Sequence, residues 1–249
     1  MHFHLSDHIY MAQFQDELIL LDTKKDKYTI CFQQFSDLFS NFLEKDFSYS
    51  DRKLISFSSS NELTSQELSY IQKLLDNNVI ERQNSPYPFY IDRKLTSHGV
   101  SNVDWRLPLE NKKISFNLHV LGALFTLIKV NFYMKFRGLY RTIQLIKKAH
   151  SNRSKYIIPQ NEELRKLANI VNKACLLYPA RTKCLEWAMT FVLLALKRGW
   201  KCNLEIGVQN YPFFAHAWVE CNGKVIMDSQ DLREGLAIIL NEPFRKLKR

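Results

Sequence analysis

The pattern that most constrains the fold is one helix followed by three short strands towards the C-terminal end of the chain. Apolar residues recur there at helical spacing, at Leu185, Ala188, Met189, Val192, Ala195 and Leu196. Gly199 fits the end of this helix. Leu204–Val208 alternates as a strand does, and Pro212–Asp228 has the pattern of a β-hairpin turning at Asn222-Gly223. A helix that packs on an antiparallel sheet predicts an α+β fold.

Three residues in this region combine the chemistry of a cysteine-based active site. Thr182 is a suitable N-cap, so Cys184 falls in the first helical turn, where the helix dipole and free amides favour a thiolate. His216 near the start of one hairpin arm and Asp228 at the end of the other supply a base and an orienting carboxylate. Each residue alone also fits a structural role, as a buried thiol, a hairpin-end histidine or a solvated carboxylate.

The length of the hairpin loop decides whether these two ionisable residues can meet. A two-residue turn would direct His216 and Asp228 to opposite faces, because side chains alternate along a strand. A three-residue loop, which pairs Glu220 with Lys224, places His216 directly opposite Asp228. We therefore predict the three-residue loop, positive φ at Gly223, and a hydrogen bond between the Asp228 carboxylate and one His216 nitrogen.

Charge is distributed unevenly along the 249 residues, whose net charge is +10. Residues 1–110 hold 11 Lys and Arg against 16 Asp and Glu, a balance of −5, and residues 111–249 hold 24 against 9, a balance of +15. This shift predicts two domains. The basic half either attracts an anionic partner (an acidic peptide, a nucleotide, nucleic acid or a membrane surface) or is a solvated lysine-rich surface. No nucleic-acid-binding motif is recognisable, and we predict no nucleic-acid partner.

Five cysteines without CxxC spacing argue against a disulfide framework or a zinc cage and fit a reducing cytoplasm. Cys175, Cys202 and Cys221 are assigned structural roles. His2, His4 and His8 are interpreted as a polar N-terminal edge, and we predict no metal site. The start of the chain lacks a signal-peptide pattern, and its longest nearly apolar run, 114–128, is too short to span a membrane.

The first 84 residues are predicted to form a winged-helix-like domain. Short β-prone runs at Ile9–Phe14, Glu17–Leu21 and Tyr28–Phe32 precede a helical pattern over Gln33–Leu43. Thr64-Ser-Gln-Glu67 has the pattern of a capping box that begins a further helix. We predict a connector at residues 85–113 and a second domain at residues 114–249, with a helix break near Gly138 and another helix over Glu162–Leu176.

Two segments of the second domain resemble a known family. "CLEWAMTFVLLALKRGW" at 184–200 and "LEIGVQNYPFFAHAWVECNGKVIMD" at 204–228 are similar to the core of lasso-peptide B proteins. These are transglutaminase-like cysteine peptidases of lasso-peptide maturation. The resemblance implies a papain/transglutaminase-like domain in which Cys184, His216 and Asp228 are catalytic. It also implies an asparagine-synthetase-like lactam synthetase as partner and a role for ATP, although the sequence shows no phosphate-binding glycine loop and no cofactor is evident from its residues.

A second resemblance lies in the N-terminal domain. "DELILLDTKKDKYTICF" at 16–32 resembles the strand–turn–strand of the RiPP recognition element, a winged-helix domain that captures leader peptides. The resemblance implies that the leader adds as a strand beside Tyr28–Phe32 and packs against the helix that follows Thr64. The residues implied in leader binding are Tyr28, Ile30, Phe32, Tyr70, Ile71 and Leu74.

Together these features predict a cytoplasmic cysteine peptidase that removes the leader from a lasso-peptide precursor before macrolactam formation. Two alternatives stay open. The same Cys-His-Asp triad could pass the acyl group to an amine, as an acyltransferase does. The protein could also be a leader-binding scaffold for the synthetase, without catalysis. The Cys184 amide could donate one hydrogen bond to an oxyanion, and the sequence identifies no second donor.

Overall fold

The computed structural model describes residues 1–15, 17–32, 35–36, 39, 43, 47–50, 53–56, 64–94, 107, 117–151 and 155–248. The chain forms two compact units, residues 1–95 with 246–249, and residues 96–245. The sequence placed residues 85–95 in a connector and 246–249 in the second domain, and both differ from this division. The reason is a pair of backbone hydrogen bonds, from Tyr90 to Lys246 (2.9 Å) and from Lys248 to Pro88 (2.8 Å).

The described residues of the first unit form three sheets and one helix with defined bounds. The elements are β1 (His2–Leu5), β2 (Ile9–Gln13), β3 (Glu17–Asp22), β4 (Lys27–Phe32), β5 (Phe47–Ser50), β6 (Lys53–Ser56), α1 (Ser65–Asp76), β7 (Ile80–Gln83) and β8 (Asp92–Arg93). The largest sheet has the order β4-β3-β2-β8, while β1 pairs with β7 and β5 with β6. Among the described strands, β4 therefore lies at an edge.

Local sequence patterns in this unit predict several elements closely. The three predicted β-prone runs coincide with β2, β3 and β4 within one residue at each end. The capping box is present, since Thr64 Oγ1 accepts from the Glu67 amide (3.2 Å) and Glu67 accepts from the Thr64 amide (2.7 Å). Of the helix predicted over Gln33–Leu43, residues 35, 36, 39 and 43 are helical, and the others lie outside the described residues. The winged-helix-like architecture stays a prediction.

The second unit consists of helices and one antiparallel sheet. Its described elements are α2 (Leu118–Ser151), α3 (Asn161–Leu177), α4 (Cys184–Lys197), β9 (Asn203–Gln209), β10 (Phe214–Cys221), β11 (Lys224–Ile226), α5 (Leu232–Gly235) and β12 (Ala237–Glu242). Gly138 has φ 74° and ψ 176° inside α2, so two helical segments meet there, as the predicted break requires. No helix within the described ranges is long and apolar enough to cross a membrane. The unit confirms the α+β class.

Helix α4 and strand β9 form the interior of the second unit. Every residue from Trp187 to Leu196 is buried, so α4 is covered all round rather than on the single apolar face that its spacing predicted. Strand β9 is central in the order β11-β10-β9-β12 and is buried along its whole length. Since neighbours on both sides hold β9, the paired strand β10 has a fixed register, in which His216 lies opposite Gly207.

Candidate active site

Cys184 is the first residue of the central helix α4. The N-cap is Lys183, with φ −95° and ψ 170°, one residue after the predicted Thr182, which is buried instead. The Glu186 carboxylate accepts a hydrogen bond from the Lys183 amide (3.1 Å) and closes the helix start. Cys184 is partly exposed, and its amide is among the first of the helix. Cys184 is therefore not enclosed in the core as residues 187–196 of the helix are.

The position of α4 is fixed one turn after Cys184. The indole of Trp187 donates a hydrogen bond to Asn172 Oδ1 (2.7 Å), and both residues are buried. Because Asn172 belongs to α3, this bond ties the nucleophile-bearing helix to its neighbour. A buried donor and acceptor that satisfy each other favour one packing arrangement.

His216 and Asp228 form a directly bonded pair. His216 Nε2 lies 2.8 Å from Asp228 Oδ2, which confirms the predicted hydrogen bond. His216 is only 3% exposed, and its ring stacks between Phe214 (6.2 Å between ring centroids) and Trp218 (6.1 Å). Because Asp228 engages Nε2, Nδ1 is the ring nitrogen that can serve Cys184.

Burial and two hydrogen bonds act in opposite directions on His216. Burial by itself would lower the pKa of its imidazole. The hydrogen bonds with Asp228 and Cys184 and the charges of these two residues together outweigh burial, and the pKa of His216 is raised to about 9. The imidazolium is therefore the stable form of His216 at neutral pH. A thiolate on Cys184 would then face a positively charged partner.

The hairpin that carries this pair has a different register from the predicted one. Cys221 pairs with Lys224 and Glu220 with Val225, so the loop is a two-residue turn. Asn222 and Gly223 have φ of 51° and 83°, as a type I′ turn requires. The predicted three-residue loop is wrong, because Asn222 also adopts the left-handed conformation, so both residues fit a two-residue turn. Positive φ at Gly223 is confirmed.

The two residues meet because the ladder stops before Asp228. Its last pair is Val219 with Ile226, and the next residue, Met227, has φ 59°. A left-handed residue breaks the alternation of side chains, so Asp228 turns to the face that His216 occupies. The second carboxylate oxygen of Asp228 accepts from the Ser229 amide (2.9 Å), which fixes its rotation.

Gln230 holds the segment after Met227 against the sheet. Its side chain accepts from the Val225 amide (3.0 Å) and donates to the Val225 carbonyl (2.6 Å). Val225 lies on β11, an edge strand of the sheet. The amide side chain thus occupies the position that a neighbouring strand would take, and it returns the chain close to Asp228.

A buried ionic cluster lies behind the site. Glu205 is fully buried and pairs with Arg233, with 3.0 Å between Arg233 Nε and Glu205 Oε2. It also accepts from Trp218 Nε1 (2.9 Å) and Asn241 Nδ2 (2.6 Å). Burial raises the pKa of Glu205 and the charge of Arg233 opposes the rise. This cluster was not predicted from the sequence, although a glutamate inside an apolar strand is itself a signal, since a buried carboxylate needs partners.

The residues implied in leader binding divide into two groups. Ile30, Phe32 and Tyr70 are exposed and Tyr28 is half-buried, so these side chains are accessible. Ile71 and Leu74 lie in the core of the first unit and cannot contact a peptide there. Their assignment, which rested on the resemblance, is corrected: both side chains pack in the unit's own core.

The remaining thiols and histidines within the described ranges form no competing centre. Burial raises the pKa of the Cys31 thiol to about 11 and that of Cys175 to about 11, so both are protonated at neutral pH. Cys202 and Cys221 are buried. His4 Nε2 bonds the Ser85 carbonyl (2.7 Å). The described part of the chain contains no cluster of three or more side chains able to hold a metal ion.

Comparison with known proteins places this geometry in context. Residues 126–241 match the family model described as the transglutaminase-like superfamily. The chain is also similar to the microcin J25-processing protein McjB of Escherichia coli, with 34% identity over 59 residues. That match covers 24% of this chain and 28% of the relative. No solved structure matches the chain. The second unit, which carries Cys184, His216 and Asp228, is thus similar to transglutaminase-like proteins over most of its length.

Proposed function

We propose that the protein is a cysteine peptidase that cleaves the leader from the core of a lasso-peptide precursor. The observation that carries the proposal is the 2.8 Å pairing of His216 with Asp228, together with Cys184 at the start of a buried helix, whose influence helps to raise the pKa of the His216 imidazole. The similarity to a transglutaminase-like family and to a microcin-processing protein supports this chemistry and this substrate class.

The proposed reaction uses the three side chains in turn. In the resting site the proton of Cys184 already resides on His216 Nδ1, and the thiolate sulfur attacks the carbonyl carbon of the bond between leader and core. The Cys184 amide donates to the oxyanion. When the tetrahedral intermediate collapses, the C–N bond breaks and His216 returns its proton to the leaving amine of the core. Water, deprotonated by His216, then hydrolyses the thioester and releases the leader. Asp228 orients the imidazole throughout.

Leader capture is proposed for the first unit. Strand β4 is an edge in the described sheet, and Ile30 and Phe32 are two residues apart, so they project from the same face. Tyr70 on α1 is also exposed. An extended peptide can add beside β4 through its backbone and place alternate side chains against these residues. The lactam synthetase, the ATP requirement and a cytoplasmic location stay predictions from the resemblance.

The decisive experiment is mass spectrometry of a candidate precursor after incubation with the protein, with and without ATP and the synthetase. Cys184→Ala should abolish cleavage and leave leader affinity unchanged. Cys175→Ala is the matched control and should retain most activity, because its buried thiol is protonated at neutral pH. Substantial cleavage by Cys184→Ala would refute the proposal.

The same assay separates the two alternatives. Because an acyltransferase shares the thioester intermediate, leader–amine conjugates that dominate over free leader when an amine is added would identify transfer. A scaffold would bind the leader while Cys184 stays inert to iodoacetamide. Free leader from wild-type protein, together with Cys184 alkylation, supports the peptidase.

A further inference from the structure

The first segment of helix α2 exposes an apolar face that the proposed reaction does not use. Leu118, Phe125, Phe132 and Phe136 are 84%, 69%, 53% and 62% exposed. Their intervals of seven, seven and four residues place all four on one side of a helix. We call these four residues the aromatic face. The rings of Phe132 and Phe136 lie 4.8 Å apart, so their side chains form a continuous surface.

Gly122 gives independent evidence that this side of the helix is open. It falls on the same face, four residues after Leu118, and a Cβ added to it would meet no atom within 4 Å. The core side of the helix is elsewhere, since Val120, Ala123 and Leu127 are fully buried. The segment is therefore apolar on two sides, and only one of them contributes to the core of the second unit.

The charges on this helix have one sign. Residues Leu118–Ser151 include no Asp or Glu, and the segment before Gly138 carries Lys129, Lys135 and Arg137. Lys129 lies within the face at helical spacing, and Lys135 and Arg137 lie on either side of Phe136. A second copy that docked through the same face would bring cations against cations. The charge pattern therefore favours an anionic partner.

We propose that the aromatic face binds the surface of an anionic lipid bilayer. Exposed phenylalanines among lysines and arginines are the composition of helices that lie in the membrane interface. From Leu118 to Phe136 the face extends about 27 Å, and lysine stems can lie beside buried rings while their ammonium groups stay in water. A fluid lipid surface fits such a face without a matched groove, which an acidic protein partner would have to supply.

Vesicle flotation with the full-length protein tests the proposal. Vesicles of phosphatidylcholine alone should bind little, and vesicles with 30 mol% phosphatidylglycerol should bind the protein. Two variants should each reduce partition to the anionic vesicles by at least about tenfold. Phe125→Ser/Phe132→Ser/Phe136→Ser removes the rings that the bilayer would bury. Lys129→Glu/Lys135→Glu removes two cations, each of which contributes roughly fivefold near the surface. Neutral salt at high concentration should also release the protein.

Control variants exclude trivial outcomes. Lys24→Glu/Lys25→Glu changes the same charge on an exposed turn of the first unit and should reduce partition by less than about threefold. Circular dichroism and thermal unfolding must show that each variant folds. Wild-type protein that fails to bind anionic vesicles, or aromatic-face variants that bind as well as wild type, would overturn the proposal. If the wild type binds no vesicles, and the aromatic-face variants lose binding to the lactam synthetase, the face would be assigned to a protein partner.

Discussion

Adding a single methyl group at Gly207 should disturb the proposed active site strongly. It lies opposite His216 on the central strand, and the Trp218 ring covers it. A Cβ added there would lie 2.7 Å from Trp218 Cζ3, closer still to Cη2, and 2.8 Å from Leu236 Cβ. Leu236 Cβ is held by its backbone, so the indole has to move. The requirement for glycine is steric.

Movement of Trp218 has two consequences that set the magnitude. The indole is 1% exposed and donates to Glu205, so a shift strains both the packing and a buried hydrogen bond. Overpacking a buried position costs about 1–3 kcal/mol. The indole also stacks on His216, 6.1 Å away, so its displacement should change the imidazole's position. Gly207→Ala should therefore lower the free energy of unfolding by about 2 kcal/mol and impair the proposed cleavage.

Urea unfolding and precursor cleavage measure these two effects. Gly122→Ala is the matched control, because a Cβ there meets nothing within 4 Å and alanine favours a helix by about 1 kcal/mol. Gly207→Ala/Trp218→Phe should lose less stability than the sum of the single changes, since the smaller ring vacates the contested space. If Gly207→Ala matched wild type in stability and cleavage, the reasoning from the Gly207–Trp218 contact would be refuted.

Three further predictions concern the groups around this contact. The pKa of His216 is about 9 when folded against 6.5 when free, so its stabilisation is complete below pH 6.5 and is lost as the pH rises through 9. The free energy of unfolding of the wild type, measured relative to that of His216→Gln, should fall by about 3 kcal/mol between pH 6.5 and pH 9. A difference between the two proteins that stayed constant over this range would contradict the prediction. Arg233→Met should cost about 3 kcal/mol by leaving Glu205 unpaired, and adding Glu205→Gln should restore most of this in the same urea titration. Met227→Gly should keep cleavage, whereas Met227→Val should lose about 2 kcal/mol because a β-branched residue resists positive φ; equal stability of the two variants would contradict the role of φ.

Features that depend on neighbouring residues were predictable from the sequence. The capping box at Thr64, the start of α4 within two residues of its predicted cap, and the break at Gly138 follow from local backbone preferences. Burial was less predictable, because apolar spacing does not show what covers a face. Ile71 and the aromatic face on α2 illustrate this: both are apolar positions on a helix, but the first belongs to the core, while the second is exposed.

The ionic cluster could not be located from local patterns, because its members are distant in sequence. Glu205 and Arg233 are 28 residues apart, and Asn241 is 36 residues from Glu205. A glutamate in an apolar strand signals that some partner is needed but does not identify it. Arg233 pairs with Glu205 because α5 packs over the sheet, and this is a property of the tertiary fold.

The hairpin shows how the His216–Asp228 pair arises despite the wrong predicted register. Side chains alternate between the two faces of a sheet only while the strand continues. The number of loop residues would therefore decide the face on which Asp228 lies only if every residue from the loop to Asp228 kept the strand conformation. A three-residue loop shifts the alternation by one position, and a two-residue turn followed by the left-handed Met227 has the same effect. Because Gln230 and Ser229 then hold the segment through Val225 and Asp228, the orientation of the carboxylate depends on contacts after the hairpin. Asp228 is therefore positioned by the chain that follows it and not by the ladder, and turn chemistry alone could not reveal that.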